Sequence, residues 1–358
     1  MGYRYIGSKT KITQEIISRV KQLVPQRARV ADIMCGTGSI SLELRRNGYT
    51  VLANDVMTQA YHITKAKVLL QKPPPFENIE LESNSTKQFT LDTSPKYFEL
   101  INTLNSLEPV EGYFWREFSP SGKPMNGTDP RKYFTSENAM KIDAIRNFIN
   151  RLVNSGRLTP IEHSLLVHDL IVAANDVANI AGTYGHYLSK FNPRALEQLK
   201  LKPMTFIKGG DTEGHKISND YAEVVAKSIT ADLCYIDPPY IKRQYAANYH
   251  LLETIAKGDE PVANGKSGLR PWRDQYSNFC SKVLFKPSFE KIITSMDCDN
   301  FLISYSSEGL FSIEQLCNFF NNFGKVEVLK FNNKRFKSRN ESAEADITEF
   351  LVTLRRRN

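Results

Sequence analysis

Hydrophobic and polar positions follow a strand–helix rhythm at the start of the chain. Residues 11–24 place apolar side chains at helical spacing. A short apolar strand at 29–33 follows, and a turn with two glycines leads into a helix over about 39–46, which Asn47-Gly48 ends. A second strand occupies residues 50–53. A strand, a helix and another strand in this order predict the opening of a doubly wound α/β sheet.

The same rhythm returns after about residue 204. The pattern predicts a strand at 204–207, a helix at 220–229, buried strands at 233–236 and 301–305, and a closing antiparallel pair at 325–331 and 347–354. We therefore expect one α/β domain built from residues 1–59 and 204–358.

Residues 60–203 break this rhythm and are predicted to form a mainly helical insertion. The stretches at 71–96 and 112–130 are irregular in pattern. Two strong helices follow them. One runs from about Ser136 to Asn154, and the other starts at Thr159, where Thr159 and Glu162 fit a capping box, and extends to about Ile180.

The composition narrows the class of protein. The chain has 358 residues, 41% of them hydrophobic, and a net charge of +8, which favours a folded protein and weakly favours an anionic partner. No run approaches the roughly 18 apolar residues that span a bilayer, and the N-terminus lacks an apolar signal core. The five cysteines form no C-x-x-C pair, which argues against a zinc site and fits a cytoplasmic protein. The scattered histidines give metal catalysis little support.

The first candidate for chemistry is the glycine turn, defined as residues 32–39. Asp32 ends a strand, and Gly36 and Gly38 precede a helix, so backbone amides can approach a ligand closely. Asp55 ends the next strand, where a carboxylate can accept hydrogen bonds from both hydroxyls of a ribose. The third glycine of the dinucleotide fingerprint is absent. The turn alone fits a tight structural connection equally well, but together with Asp55 it favours a nucleoside ligand.

The second candidate is the D-P-P-Y corner, residues Asp237 to Tyr240, which directly follows the buried strand at 233–236. Two prolines, Pro238 and Pro239, stop the strand and stiffen the turn. They present the Asp237 carboxylate, the Pro238 carbonyl and the Tyr240 ring at the edge where open α/β sheets bind ligands. A carboxylate and a carbonyl can accept both hydrogens of an exocyclic amine while the ring stacks on the attached base.

With these motifs the chain resembles the Dam-like, alpha-group DNA adenine-N6 methyltransferases. The shared order is an N-terminal motif, here Tyr5-Ile6-Gly7-Ser8-Lys9, then the glycine turn, Asp55, a recognition region and the D-P-P-Y corner. The resemblance covers roughly residues 1–58 and 204–358. It implies a Rossmann-like S-adenosylmethionine-dependent methyltransferase sheet with a closing hairpin. Residues 1–59 and 204–358 would form the catalytic domain, and residues 60–203 the target-recognition region.

The resemblance also implies which residues bind the cofactor, S-adenosylmethionine. They are Tyr5, Gly7 and Lys9 near its methionine end, Asp32, Met34, Gly36 and Gly38 around its centre, Asp55 at its ribose and Asp211 near its adenine. Met34 stands where the family usually has Phe. Because a thioether can fill the same apolar space, we expect altered affinity rather than lost binding.

The implied activity is methyl transfer to the N6 amino group of adenine in a specific double-stranded DNA sequence, as in the modification enzyme of a type II restriction–modification system. The implied catalytic residues are Asp237, Pro238, Pro239 and Tyr240. A base inside a duplex cannot reach such a corner, so we expect base flipping and stacking on Tyr240. The reaction needs no covalent enzyme intermediate, so we expect no catalytic cysteine and no metal.

Two kinds of segment are candidates for contacts to DNA. Lys334, Arg335, Lys337 and Arg339 lie between the closing strands and could neutralise phosphates, although a solvated loop that protects a sheet edge also fits them. Aromatic and cationic residues mix at 113–116, 131–133 and 184–187, which suits both groove reading and ordinary packing. For His250, a structural hydrogen bond is favoured over a role as general base.

Other functions share parts of this pattern. A dehydrogenase would share the glycine turn and Asp55 but would not need the D-P-P-Y corner. Adenine methylation in RNA is the nearest rival, because the same corner serves it, and a catalytically weak nucleic-acid-binding module stays open. Methylation of a protein glutamine uses a related corner that starts with Asn. The expected partners are double-stranded DNA and a cognate restriction endonuclease that shares the recognition site, with a solitary methyltransferase as the other biological setting.

Overall fold

The computed structural model describes residue 9 and residues 12–80, 94–211, 213–333 and 347–357. The chain divides into two compact units. The sheet unit comprises the described parts of residues 7–56, 209–245 and 276–358. The helical unit comprises the described parts of residues 57–208 and 246–275.

The elements are numbered in chain order. The strands are β1 Arg29–Asp32, β2 Thr50–Asn54, β3 Lys216–Ser218, β4 Leu233–Ile236, β5 Asn300–Ser306, β6 Gly324–Asn333 and β7 Ile347–Arg356. The helices are α1 Thr13–Leu23, α2 Ser39–Arg46, α3 Thr58–Leu69, α4 Pro95–Ser106, α5 Tyr113–Phe118, α6 Ser136–Asn154, α7 Pro160–Asp176, α8 Ala222–Val225, α9 Tyr245–Asn248, α10 His250–Lys257, α11 Phe285–Ser295 and α12 Ile313–Phe320.

Within the described ranges, seven strands form one sheet in the order β3-β2-β1-β4-β5-β7-β6. The first five strands pair in parallel, and β7 lies antiparallel between β5 and β6. The chain leaves β1 towards β2 on one side and returns to β4 on the other. The boundary between β1 and β4 is therefore a topological switch point, where open sheets bind ligands. This arrangement confirms the predicted Rossmann-like sheet with its closing antiparallel hairpin.

An apolar core fixes the strands that carry the D-P-P-Y corner. All four residues of β4 are buried, as expected for a strand covered on both faces. Helices α11 and α12 contribute Phe285, Phe289 and Phe320, whose successive ring centroids lie 5.1 and 5.2 Å apart. Aromatic pairs of this kind contribute about 0.5–1.5 kcal/mol each beyond their buried area. The end of β4 is consequently a rigid point in the sheet unit.

The helical unit begins its two longest helices where the sequence predicts. The Thr135 hydroxyl accepts a hydrogen bond from the Asn138 amide at the start of α6, and Thr159 and Glu162 form a capping box at the start of α7. Helix α7 ends at Asp176, short of the predicted Ile180. None of the helices in the described ranges has the length and apolar character that a bilayer crossing requires.

The strand predicted at 204–207 does not form. The Met204 amide donates to the Tyr97 hydroxyl at 2.8 Å, and the Phe206 ring meets the Tyr97 ring edge-on, with their centroids 5.8 Å apart. These residues therefore pack within the helical unit, and the edge strand next to β2 is β3 instead. Helices α4 and α5 were also not predicted. Helix α5 lies within the stretch 112–130, which was expected to be irregular, and α4 begins at the end of the stretch 71–96.

The segment from 246 to 275 belongs to the helical unit, although the sequence grouped it with the sheet. The carboxylate of Glu253 in α10 accepts hydrogen bonds from the amides of Thr58 and Gln59 at the start of α3, both at 3.0 Å. It thereby satisfies two of the amides that a helix N-terminus leaves unpaired. This buried long-range cap ties α10 to α3.

Candidate active site

The glycine turn and the D-P-P-Y corner leave the sheet at the same edge. Strands β1 and β4 pair in parallel, with Asp32 opposite Tyr235. The amide of Ile33 donates to the carbonyl of Tyr235 at 3.4 Å, so the strands still contact each other where the turn begins. Asp237 follows two residues after Tyr235, which places the two motifs side by side.

The glycine turn has the backbone conformation that the sequence analysis required. Gly36 and Gly38 have φ angles of +52° and +69°, a region that residues with a side chain rarely adopt. Gly38 directly precedes α2. The Gly36 amide donates to a carboxylate oxygen of Asp55 at 2.8 Å, so the turn and the end of β2 are joined. Met34 is half-buried and packs against the core of the sheet unit.

Asp32 is a buried carboxylate with one oxygen left for a ligand. The Ser41 hydroxyl donates to its Oδ2 at 2.6 Å, while its Oδ1 has no hydrogen-bond partner among the described residues. Burial raises the pKa of Asp32 to about 7, and the carboxylates of Asp237 and Asp55 oppose the lowering effect of Ser41. A buried acceptor without a partner is costly, so the site favours a ligand that brings a cationic or hydrogen-bond-donating group.

Asp211, which the resemblance predicts near the cofactor adenine, follows a glycine that packs against the far end of α2 from the glycine turn. A Cβ on the preceding Gly210 would lie 1.9 Å from the carbonyl oxygen of Arg45, near the C-terminal end of α2. His215 accepts from the Val51 amide near the start of β2, and its other ring nitrogen contacts the Asp211 carbonyl at 2.6 Å. Asp211 is therefore at the amino edge of the sheet, opposite the edge that carries the candidate site.

Asp220 is the aspartate that lies at the carboxyl edge of the sheet next to β2. It follows β3 at the carboxyl edge, where its carbonyl accepts from the Asn54 side chain at 2.9 Å and its amide donates to the same side chain at 3.2 Å. The adjacent Asn219 donates to the carbonyl of Asp55 at 2.7 Å. The sequence missed Asp220 because β3 is a three-residue strand with little apolar pattern.

A buried lysine organises the D-P-P-Y corner. The Lys9 Nζ lies 3.2 Å from Oδ1 of Asp237, donates to the Tyr240 hydroxyl at 3.3 Å, and lies 3.5 Å from Oε2 of Glu349 in β7. Its side chain is only 5% exposed. Tyr240 is fixed further by the Leu310 amide, which donates to its carbonyl at 3.0 Å, and by the edge of the Tyr305 ring. The resemblance predicts Lys9 beside the cofactor, and the described contacts of its ammonium group are with this corner and Glu349.

The charges of the corner are coupled. Burial raises the pKa of Asp237 to about 6, Lys9 lowers it, and Glu349 raises it. Burial alone would lower the pKa of Lys9, but Asp237, Tyr240 and Glu349 raise it above its ordinary value. Burial also raises the pKa of Tyr240 to about 12. At neutral pH the corner therefore contains an ionised lysine, a mostly ionised aspartate and a neutral tyrosine.

Several other candidate residues are structural. Tyr113, Phe114 and Tyr133 are fully buried in the helical unit, and so is Arg131. His250 is also buried: burial lowers its pKa to about 3, and its Nε2 contacts the Tyr184 carbonyl at 3.1 Å. These positions pack the helical unit and cannot read a groove of DNA from the surface.

Six of the candidate residues lie outside the described residues. They are Tyr5, Gly7, Lys334, Arg335, Lys337 and Arg339. The expectations for them stay predictions.

Comparison with known proteins agrees with this arrangement. Residues 5–319 match the family described as D12 class N6 adenine-specific DNA methyltransferase. The chain belongs to this family. In three dimensions it matches the rRNA methyltransferase aviRa from Streptomyces viridochromogenes over 99% of this chain and 88% of that one, with a TM-score of 0.34 and 10% identity, which is too slight to carry an argument.

Some relatives match this chain over nearly their whole length, and others match it over about half of theirs. Type II methyltransferase M.FokI of Planomicrobium okeanokoites is 33% identical over 99% of this chain, but the match covers only 52% of M.FokI. Type II methyltransferase M.NlaIII of Neisseria lactamica is 32% identical over 98% of both chains. Type II methyltransferase M.CviAII of Paramecium bursaria Chlorella virus 1 is 31% identical over 97% of this chain and 96% of its own. The chain thus spans about half of M.FokI and nearly all of the other two.

The ion pair between Lys9 and Asp237 predicts how the pKa of Asp237 changes when the ammonium is removed. Lys9→Met is expected to raise the pKa of Asp237 above about 6, because the carboxylate loses the cation that stabilises its charge. The pH dependence of the ¹³C chemical shift of the Asp237 carboxyl carbon measures this change. Lys9→Arg keeps the cation and should leave the titration close to that of the parent protein. An unaltered Asp237 titration in Lys9→Met would contradict the described ion pair.

Proposed function

We propose that the chain transfers a methyl group from S-adenosylmethionine to the N6 amino group of adenine within a specific double-stranded DNA sequence. The observation that carries this proposal is the Asp237 carboxylate, oriented by Lys9, beside the glycine turn at one edge of the sheet. Membership of the D12 family and similarity to type II methyltransferases support it. On the same basis we propose a restriction–modification setting, with a cognate endonuclease as partner.

The residues at the glycine turn fit S-adenosylmethionine. One buried oxygen of Asp32 has no partner within the described part of the chain and suits the ammonium group of the methionine moiety. The positive-φ glycines allow close backbone approach, and Asp55 suits the ribose hydroxyls. Asp220, at the end of the neighbouring strand, would contact the adenine end. When bound, this cofactor supplies an electrophilic methyl group on a sulfonium.

The D-P-P-Y corner would act on the target amine by position and charge. An exocyclic amine of adenine is a poor nucleophile because its lone pair is delocalised into the ring. Hydrogen bonds from the amine to the Asp237 carboxylate and the Pro238 carbonyl would favour a tetrahedral nitrogen, and the fixed Lys9 limits reorganisation of the carboxylate. The proton leaves after the nitrogen has become cationic, so no strong base is required.

The target base would enter the corner by leaving the duplex. Extrusion costs a few kcal/mol, and stacking on an aromatic ring returns about 1–3 kcal/mol. Tyr240 is half-buried, and Lys9 lies 5.0 Å from its ring centroid. A ring fixed in this way is preorganised to stack on the base.

For the helical unit we propose that exposed side chains around the turn at residues 264–269, called the clamped turn, contact DNA. Arg131 is fully buried, pairs with Glu117 at 2.9 Å, and donates to the carbonyls of Gly265 and Lys266 at 3.0 and 3.2 Å. The turn is closed by two 2.8 Å hydrogen bonds between the main chains of Asn264 and Leu269. A buried arginine therefore fixes the backbone that presents the exposed Lys266.

Further basic residues lie around the clamped turn. Ser267 donates to the Gly185 carbonyl at 2.6 Å and lies 3.2 Å from Nδ1 of the exposed His186. Lys132 reaches the same region, where it donates to the Ser189 carbonyl at 3.4 Å. Lysines on a fixed backbone suit the non-directional attraction of phosphates. This group keeps the exposed Lys132 and His186 from the stretches that the sequence pattern singled out, and adds Lys266.

The proposed activity predicts a specific effect of neutralising the corner. Asp237→Asn should reduce methyl transfer to duplex DNA by a factor of about 100–1,000 or more, because the charged carboxylate is replaced by a neutral amide, which is a weaker acceptor for the amine. Transfer of labelled methyl groups is measured with duplex DNA, single-stranded DNA, RNA and protein as substrates. The matched control, Asp232→Asn before the same strand, should keep the parent activity.

Three results would count against the proposed activity. These are labelling confined to RNA, labelling confined to protein, and parent-level turnover in Asp237→Asn. Binding of S-adenosylmethionine, measured by calorimetry, should change less than about threefold in this variant, because the carboxylate is proposed to contact the target amine.

The two aspartates near β3 should differ in their effect on cofactor binding. Asp220→Ala is expected to weaken the affinity for S-adenosylmethionine about tenfold, the typical loss of one charged hydrogen bond. Asp211→Ala should leave the affinity unchanged, because Asp211 is at the opposite edge of the sheet. Isothermal titration calorimetry measures both. A loss in Asp211→Ala but not in Asp220→Ala would reverse the assignment.

Removing the charge of the clamped turn should change the salt dependence of DNA binding. Lys266→Ala is expected to lower the slope of log affinity against log salt by about 0.9, the value for one phosphate contact. The loss of affinity should be similar for cognate and unrelated duplexes. Lys227→Ala, which removes an exposed lysine after α8 in the sheet unit, is the control. An unchanged slope in Lys266→Ala would reject this surface.

A further inference from the structure

We propose that Glu349 is a positioning residue, which draws part of the Lys9 ammonium away from Asp237 and so keeps the Asp237 carboxylate available to the target amine. This inference rests on the proposed methyl transfer at the D-P-P-Y corner. Glu349 lies beyond residue 319, where the family match ends, and the sequence pattern identified its segment only as a closing strand.

The sheet fixes the position of Glu349. It lies in β7, opposite Ser306 of β5 and Phe331 of β6, so strands pair with it on both sides. Its side chain is 16% exposed, and its Oε2 is 3.5 Å from the Lys9 Nζ. The backbone that carries this carboxylate therefore cannot shift without disturbing two strand pairs.

A single ammonium is shared by three acceptors. Lys9 lies within 3.5 Å of Asp237, Tyr240 and Glu349. The ammonium donates to Asp237 and Tyr240. It attracts Glu349 by charge alone, because Oε2 of Glu349 has no hydrogen-bond partner among the described residues. Two carboxylates around one ammonium leave a net negative charge. A lone Asp237–Lys9 pair would be neutral, and the carboxylate oxygens of Asp237 would then be weaker acceptors.

The groups around Asp237 determine the direction in which its pKa changes when Glu349 loses its charge. Lys9 stabilises the ionised form of Asp237 and Glu349 destabilises it, after the larger effect of burial. In the described part of the chain, the other titratable groups that act on Asp237 or face it are Tyr240, Tyr235 and Asp32. Both tyrosines are neutral at working pH, because burial raises the pKa of each. Glu349 is not among the groups that shift the pKa of Asp32, so a substitution at Glu349 does not act through Asp32. Loss of the Glu349 charge must therefore lower the pKa of Asp237.

The test is Glu349→Gln, which removes the charge and keeps the shape. The acid limb of kcat/KM for methyl transfer, which reports the free enzyme, should move to lower pH by about half a unit or more. The maximal rate should fall severalfold, because Asp237 becomes a weaker acceptor. The ¹³C titration of the Asp237 carboxyl carbon should move in the same direction, and it needs no catalytic activity.

Two further variants sharpen the result. Glu327→Gln, on the neighbouring strand β6, removes an exposed glutamate that pairs with Arg19 and Lys325, and should leave both titrations unchanged. Glu349→Asp keeps the charge but retracts it from Lys9, and should give a smaller shift in the same direction. This variant also keeps the proposal testable if Glu349→Gln fails to fold.

The outcomes separate this inference from the proposed function. A reduced rate with an unmoved acid limb and an unmoved ¹³C titration would show that Glu349 is only structural, and would overturn the inference. A shift to higher pH would also overturn it. If the parent protein methylates no substrate, the proposed function fails, while the ¹³C titration still decides whether Glu349 controls Asp237.

Discussion

The parallel pairing of β1 with β4 is the constraint on which the candidate site depends. Parallel strands end at the same edge of a sheet, and these two strands are neighbours only because the chain crosses back at the switch point. The glycine turn follows one strand and the D-P-P-Y corner follows the other. If β4 lay anywhere else in the sheet, the two motifs would be present in the sequence without forming one site.

Charge is the second constraint on the site. Asp32, Asp55 and Asp237 influence one another, and buried carboxylates of like charge destabilise the folded protein. Ser41, the Gly36 amide and Lys9 each compensate one of them. The remaining negative potential favours a cationic ligand at the glycine turn. These buried carboxylates therefore suit the proposed cofactor, which has a sulfonium and an ammonium group.

The sequence predicted those parts of the fold whose signals are local. Helix α6 and strand β4 have the predicted bounds, and the capping box at Thr159 starts α7 as expected, because apolar periodicity and capping chemistry act over a few residues. The D-P-P-Y corner was equally visible, since its prolines must end a strand.

The features that escaped prediction depend on distant contacts. Strand β3 is short and polar, so nothing in its pattern distinguished Asp220 from Asp211. The cap that Glu253 places on α3 joins residues almost two hundred positions apart, and so it left no local trace. The partner of Lys9 in β7, Glu349, is set by sheet register, which the sequence pattern did not specify.

The most direct measurement of the central claim is the sequencing of modified bases in DNA from cells that produce the protein. The account predicts N6-methyladenine at one recurring sequence, present with the parent chain and absent with Asp237→Asn. Methylated cytosine in place of methylated adenine would contradict the proposed activity. So would DNA without any modified base, if the protein is shown to methylate another substrate.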